Sequence, residues 1–172
     1  MARTIVLLRH TDNDGDVLSP AGVAAAVELG TALAGEFDLA VSTGAQRATQ
    51  AVACMLAGMG RPVPGGVVVE PQLRSSVEDR WRAAYQEAGG NQLADFRRVA
   101  PDLVAEDSAV LAGALQRIGE RLDDGQRALV VGHSPTNEAA VHGLTGVEID
   151  PLGKGEGVEI TVDGDEATVT RL

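Results

Sequence analysis

Four short apolar runs, at residues 3–8, 38–42, 66–70 and 127–132, recur along the chain with helix-length stretches between them. Each is too short to be a core helix and too uniformly apolar to have one wet face, so each reads as a strand covered on both sides. The intervening patterns predict helices over 20–35, 45–59, 105–123 and 136–143, with an irregular, partly helical stretch over 76–100. Strands alternating with helices require crossover connections and therefore a mainly parallel sheet with helices on both faces. The tail changes period: Val158-Glu159-Ile160-Thr161-Val162 and Ala167-Thr168-Val169-Thr170-Arg171 alternate apolar and polar residues around Asp163-Gly164-Asp165, the signature of a β-hairpin. The expected fold is a three-layer α/β/α sandwich with a mainly parallel sheet and a C-terminal β-hairpin edge. At 172 residues and 44% hydrophobic content it fits one domain, 1–172, with a core of its own.

Open α/β sheets build their sites beyond the carboxyl ends of their strands. Arg9-His10-Thr11 stands where the first apolar run stops, and Val131-Gly132-His133-Ser134 ends the fourth, so two of the three histidines finish strands. A neutral imidazole is a good nucleophile toward phosphorus, and a guanidinium offers a rigid fork of donors matched to phosphate oxygens. Arg9 beside His10 therefore suggests covalent phosphoryl transfer through a phosphohistidine. Between them, Asp38 to Ser42 reads as a strand, Ser42 or Thr43 as the cap of the next helix, and Arg47 as a first-turn residue where free N–H groups already favour an anion. His142 precedes Gly143, read as the C-terminal cap of the last helix, and is taken as structural. Cys54 is alone and His133 and His142 are nine apart, which is no zinc-helix spacing; no metal and no cofactor are expected.

In combination these segments resemble the histidine phosphatase superfamily, also called phosphoglycerate mutase-like. Arg9-His10 resembles its opening motif, with Thr11 where glycine commonly follows. Leu18-Ser19-Pro20-Ala21-Gly22 resembles the entry to its first helix, with Ser19 in the capping place. Ser42 to Ala51 resembles its serine-rich turn and following "arginine-alanine-x-glutamine-threonine-alanine", with Thr49 and Gln50 transposed, and Val131 to Ser134 its second histidine motif. The resemblance implies that His10 is the nucleophile, that Arg9, Arg47 and His133 hold the phosphoryl group, and that Thr11 and Ser134 are secondary pocket residues. It implies a metal-independent phosphohydrolase and, in second place, a catalytically weak phospho-ligand binding protein or a mutase-type phosphotransferase.

The departure lies at the general acid. Many relatives carry a glutamate after the third strand, and the corresponding stretch here is Leu73-Arg74-Ser75; the acid phosphatase branch uses an aspartate after the second histidine, where this chain has Ser134. A serine alone lacks the acidity to protonate a leaving oxygen. Either Glu78 or Asp79 reaches in from the next loop, or the enzyme acts on groups that depart easily, as phosphohistidine does. Small bacterial phosphohistidine phosphatases resemble the chain in size and in lacking that glutamate, so a phosphorylated small molecule or a phosphohistidine protein is the expected partner.

Residues 75–101 hold Trp81, Tyr85 and Phe96, three of the four aromatics, with Arg80, Arg82, Arg97 and Arg98; this mixture suits a cover over the site or a flap anchored by its rings. A formal charge of −11 with no basic run argues against nucleic acid as a partner. The first apolar run is too short for a secretory or membrane segment, so no membrane partner and a cytoplasmic location are expected.

Overall fold

The computed structural model describes residues 2–172. A six-stranded sheet has the order β5-β4-β6-β1-β7-β8, built from β1 (Arg3–Arg9), β4 (Leu39–Ser42), β5 (Val67–Val69), β6 (Arg127–Gly132), β7 (Gly157–Asp163) and β8 (Glu166–Arg171). The first four in spatial order run parallel, while β7 is antiparallel to β1 and β8 to β7. The expected sheet and its hairpin edge are both present. Gly164, at φ 60°, supplies the left-handed position of the two-residue hairpin turn.

Alternation through the central strands feeds two cores. Ile5 and Leu7 of β1, Leu39 and Val41 of β4 and Ala128 and Val130 of β6 face one way, against α5 (Pro101–Glu120), α6 (Thr136–Thr145), α3 (Glu78–Ala88) and α4 (Leu93–Val99). Val6, Leu8, Ala40, Leu129 and Val131 face the other, against α1 (Pro20–Ala32) and α2 (Gln46–Met59). Both faces are dry, which is why these strands carry continuous apolar sequence. On the second face α1 and α2 approach very closely: a Cβ on Gly30 would lie 1.9 Å from the Met55 carbonyl oxygen, and one on Gly58 would lie 2.0 Å from that of Val27.

Several boundaries move for local reasons. The helix expected over 105–123 starts at Pro101, whose missing N–H costs nothing at the first helical position, and Leu103 and Val104 extend its buried stripe. Residues 76–100 form the two helices α3 and α4, joined through the left-handed Gly89. The first helix ends at Ala32, where Leu33 turns extended, and Ser19 caps its start by accepting from the Gly22 amide. The last helix runs past Gly143 to Thr145 and is capped by Gly146 at φ 73°; Gly143 is instead a packing position, where a Cβ would meet the Ser108 carbonyl oxygen at 2.4 Å. A small ribbon, β2 (Asn13–Asp14) with β3 (Val17–Leu18), follows β1 and had no counterpart in the sequence pattern. Among the described residues no helix is long and apolar enough to cross a membrane.

Candidate active site

Strand register brings the site together. In the sheet Arg9 pairs with Gly132 and Val131 with Ser42, so His10, His133 and Thr43 leave three adjacent strands at nearly the same level. The two imidazole rings lie 5.4 Å apart, tilted by 60°. Asn137 locks this strand end: its Oδ1 accepts from the His133 amide at 3.2 Å and its Nδ2 donates to the Leu8 carbonyl at 3.2 Å. Gly132 leaves the room, since a Cβ there would lie 2.3 Å from Asn137 Oδ1.

His10 Nδ1 lies 2.8 Å from the Thr11 carbonyl oxygen. A carbonyl only accepts, so Nδ1 carries the proton and the lone pair is on Nε2. That nitrogen faces Arg47, whose Nε donates to it at 3.3 Å. Burial, assisted by the charges of Arg47 and Arg9 and opposed by the Thr11 hydrogen bond, lowers the His10 pKa to about 4. Burial, with Arg47 and His10 nearby, takes His133 to about 3. Both rings are therefore neutral near pH 7. His133 Nε2 is 2.8 Å from Thr43 Oγ1.

Arg9 donates from NH1 to the Leu152 carbonyl at 2.8 Å, and its Nε is buried with no acceptor. Arg47 is steered by Asp16, whose Oδ1 it meets at 2.7 Å; the other Asp16 oxygen accepts from the Gln46 amide at 3.3 Å. Asp16 thus supplies the cap expected of Ser42 or Thr43. Ala45 is the N-cap residue, Ser42 Oγ is 2.7 Å from Thr49 Oγ1, and Thr43 serves His133. Arg9, His10, Asp16, Arg47, His133 and Ser134 line one cleft of about 520 Å³, and a neighbouring pocket of about 190 Å³ continues from Arg47 and His133 to Trp81, Tyr85, Arg82 and Pro135. Two guanidiniums and two imidazoles lining one cleft can bind an oxyanion and stabilise charge that builds on it.

Other expected site residues fall differently. Thr11 does not line the cleft, because its hydroxyl donates to the Gly22 carbonyl at 2.7 Å and pins the loop onto α1. Glu78 lies at the rim of both pockets, but Arg74 grips it at 2.6 Å and that hydrogen bond holds its carboxyl below the usual carboxylate range. Asp79 has a 93% exposed side chain paired with Arg82 and lines neither pocket. His142 faces Arg97 at 3.4 Å on the far side of α6. Glu138, behind the cleft wall, is a residue that the sequence pattern does not single out. It is 3% exposed, and one oxygen accepts from Ser134 Oγ at 2.5 Å and from the Leu152 amide at 2.8 Å. The available signal was its place four residues after Ser134 and next to Ala139-Ala140-Val141, where an unpaired charge would face the core. Among the described residues no cluster of three or more His, Cys, Asp or Glu is placed to hold a metal.

This architecture is that of the phosphoglycerate mutase-like, or histidine phosphatase, fold. A phosphoglycerate mutase from Bacillus anthracis superposes with a TM-score of 0.74 at 18% identity, over 99% of this chain and 92% of the other. A phosphoserine phosphatase from Entamoeba histolytica, in complex with 3-phosphoglyceric acid, gives 0.74 at 17% identity, over 98% and 95% of the two chains. The protein histidine phosphatase SixA, complexed with tungstate, gives 0.63 at 17% identity, over 97% and 94%. No family model and no curated protein sequence matches the chain.

Proposed function

We propose that the protein is a phosphatase that removes a phosphoryl group through a phosphohistidine at His10. The observation that carries this reading is the His10 ring itself: Nδ1 is tied to the Thr11 carbonyl, which leaves the lone pair on Nε2, where it accepts from Arg47 Nε in a cleft that His133 also lines. Nε2 attacks phosphorus while Arg47, Arg9 and His133 stabilise the charge spread over the equatorial oxygens, without any step that calls for a metal. Arg47 moves its donation from Nε2 to a phosphoryl oxygen as substrate enters. Water then attacks the phosphohistidine and returns the free ring. The solved structures with this fold include a phosphoserine phosphatase and the histidine phosphatase SixA, which supports the same class of chemistry on a small phosphate ester or a phosphohistidine protein. The adjoining pocket with Trp81, Tyr85 and Pro135 would take the leaving group.

Rapid-quench kinetics with a radiolabelled aryl phosphate test this reading. The expected result is up to one equivalent of acid-labile, base-stable protein phosphate, followed by steady turnover, with both lost in His10→Ala. One equivalent with no turnover would make the protein a phospho-ligand binder. Turnover that survives His10→Ala would refute the covalent route.

A further inference from the structure

Phosphoryl transfer from an ester leaves a basic oxygen that needs a proton, and the carboxylates at the cleft rim are otherwise engaged. Glu78 is gripped by Arg74 and Asp16 by Arg47. Glu138 is different, because it stands behind the cleft wall in the first turn of α6 and 3% of it is exposed. Its Oε1 accepts from Ser134 Oγ and the Leu152 amide, while its Oε2 is buried with no partner. A buried carboxylate with one oxygen lacking donors is costly, and a proton on the carboxyl removes the buried charge. Burial raises the carboxyl above its usual range, and the Ser134 and Leu152 hydrogen bonds, with the Arg9 charge on β1, offset this only in part. Ser134 follows His133 directly and lines both the cleft and the adjoining pocket. It therefore stands between the buried acid and the place where a departing group would lie.

Resting on the phosphatase reading, we propose that Ser134 and Glu138 form a two-step proton relay for the leaving group, with the serine touching the departing oxygen and the buried carboxyl holding the proton. As the bond from His10 Nε2 to phosphorus forms, the phosphorus–oxygen bond breaks and its electron pair stays on the departing oxygen. With substrate bound, the Ser134 hydroxyl turns from Glu138 Oε1 to the departing oxygen and the protonated Oε1 donates to Oγ instead; the departing oxygen then takes the Oγ proton while Oγ takes that of Oε1, leaving Glu138 a carboxylate near Arg9. In the second half water attacks phosphorus, and its proton returns through Ser134 to Glu138 as the electron pair of the nitrogen–phosphorus bond goes back to Nε2. The serine needs no unusual acidity of its own, because it gives up one proton only as it gains another.

Single-turnover rates on an aryl and an alkyl phosphate, measured for the wild type, Ser134→Ala, Ser134→Thr and Glu138→Gln, test the relay. General-acid loss is worth at least about 100-fold on the alkyl ester, whose leaving group is the more basic, against a fall of about threefold on the aryl ester. Ser134→Ala and Glu138→Gln should both show that split, and Ser134→Thr, which keeps the hydroxyl, should recover the alkyl rate. Equal losses on both esters, or none on either, would overturn the relay while leaving the phosphohistidine route intact. A wild type that forms no phosphohistidine with either ester would overturn both. Should Glu138→Gln fail to fold, as judged by its thermal melt, the Ser134 pair decides alone, because Ser134 is only partly buried and its alanine variant removes little packing.

Discussion

Asp16 and Arg47 meet at 2.7 Å across the mouth of the cleft, the carboxylate coming from the turn between β2 and β3 and the guanidinium from the first turn of α2. Asp16 loses some hydration there, yet its hydrogen bonds with Arg47 and the helix amides prevail and hold its carboxyl below the usual range. One side chain thus caps the helix and aims its arginine. Because the Asp16 side chain is 51% exposed, the pair is worth at most about 1 kcal/mol. Asp16→Ala should lower kcat/KM roughly fivefold, in line with that figure. Arg47→Ala should cost about 2 to 5 kcal/mol of transition-state stabilisation, because its charge works in a partly desolvated cleft. Vanadate should raise the melting temperature of the wild type clearly, of Asp16→Ala somewhat less and of Arg47→Ala least; equal protection of all three would place the anion elsewhere.

The two site histidines should stay neutral well into the acid range. With pKa values of about 4 for His10 and about 3 for His133, neither takes a proton in the folded state as pH falls through the ordinary histidine range, whereas both do in the unfolded chain. The unfolded state then binds more protons, so folding stability falls as pH drops from about 6.5 toward 4 and does not change on this account above 6.5. Nitrogen-15 NMR of the free protein should show both rings neutral at pH 5.5, His10 with its proton on Nδ1. A midpoint near 6.5 for either ring would contradict the site geometry.

The close crossing of α1 and α2 makes a sharp test of packing. Gly30→Ala would drive a methyl into the Met55 carbonyl and should cost about 3 kcal/mol through forced separation of the helices. Gly113→Ala, in the middle of α5 with only Arg117 NH1 at 3.5 Å from the new Cβ, should instead stabilise by about 0.5 to 1 kcal/mol because the unfolded chain loses freedom. Chemical denaturation of both variants checks the pair, and a gain in both would mean that the helices slide apart easily.

Trp81 donates from Nε1 to Asp107 Oδ2 at 2.6 Å, with both residues buried, and its ring meets Phe96 edge-on at 5.5 Å. Removing the acceptor in Asp107→Ala should destabilise the fold by about 1 to 3 kcal/mol, since the indole N–H would be left unsatisfied. Vanadate binding should change little, whereas discrimination between bulky and compact leaving groups should weaken. A large loss of vanadate affinity would show that α3 shapes the phosphate cleft as well.

Much of this arrangement is legible from residue order. The apolar runs that stop at Arg9 and Gly132 put two histidines at strand ends, and parallel register then brings them side by side. Less legible is whatever depends on partners far apart in the chain. Ser42 and Thr43 look like helix caps, yet tertiary structure turns Thr43 to His133, 90 residues away, and recruits Asp16 to the helix. Thr136-Asn137-Glu138 opens the last helix with three polar residues in a row. All three are buried because they serve backbone groups at strand ends and loops, among them Leu8, His133 and Leu152, and no local pattern announces such pairings. Pro101 began its helix four residues earlier than expected because the apolar stripe carries through Leu103 and Val104.

The division of the molecule into two faces also divides the cleft's walls between them. The groups proposed to handle phosphate come from strand termini and from α2, on the layer shared with α1, while Trp81, Tyr85 and Arg82, which line the pocket proposed for the leaving group, all sit on α3 in the opposite layer. The two sets meet at the cleft, while Trp81, Ala84, Leu93 and Phe96 also root α3 and α4 in the core. Exposed Tyr85 is therefore the place where a substitution would alter the leaving group accepted without disturbing that core or the strand ends.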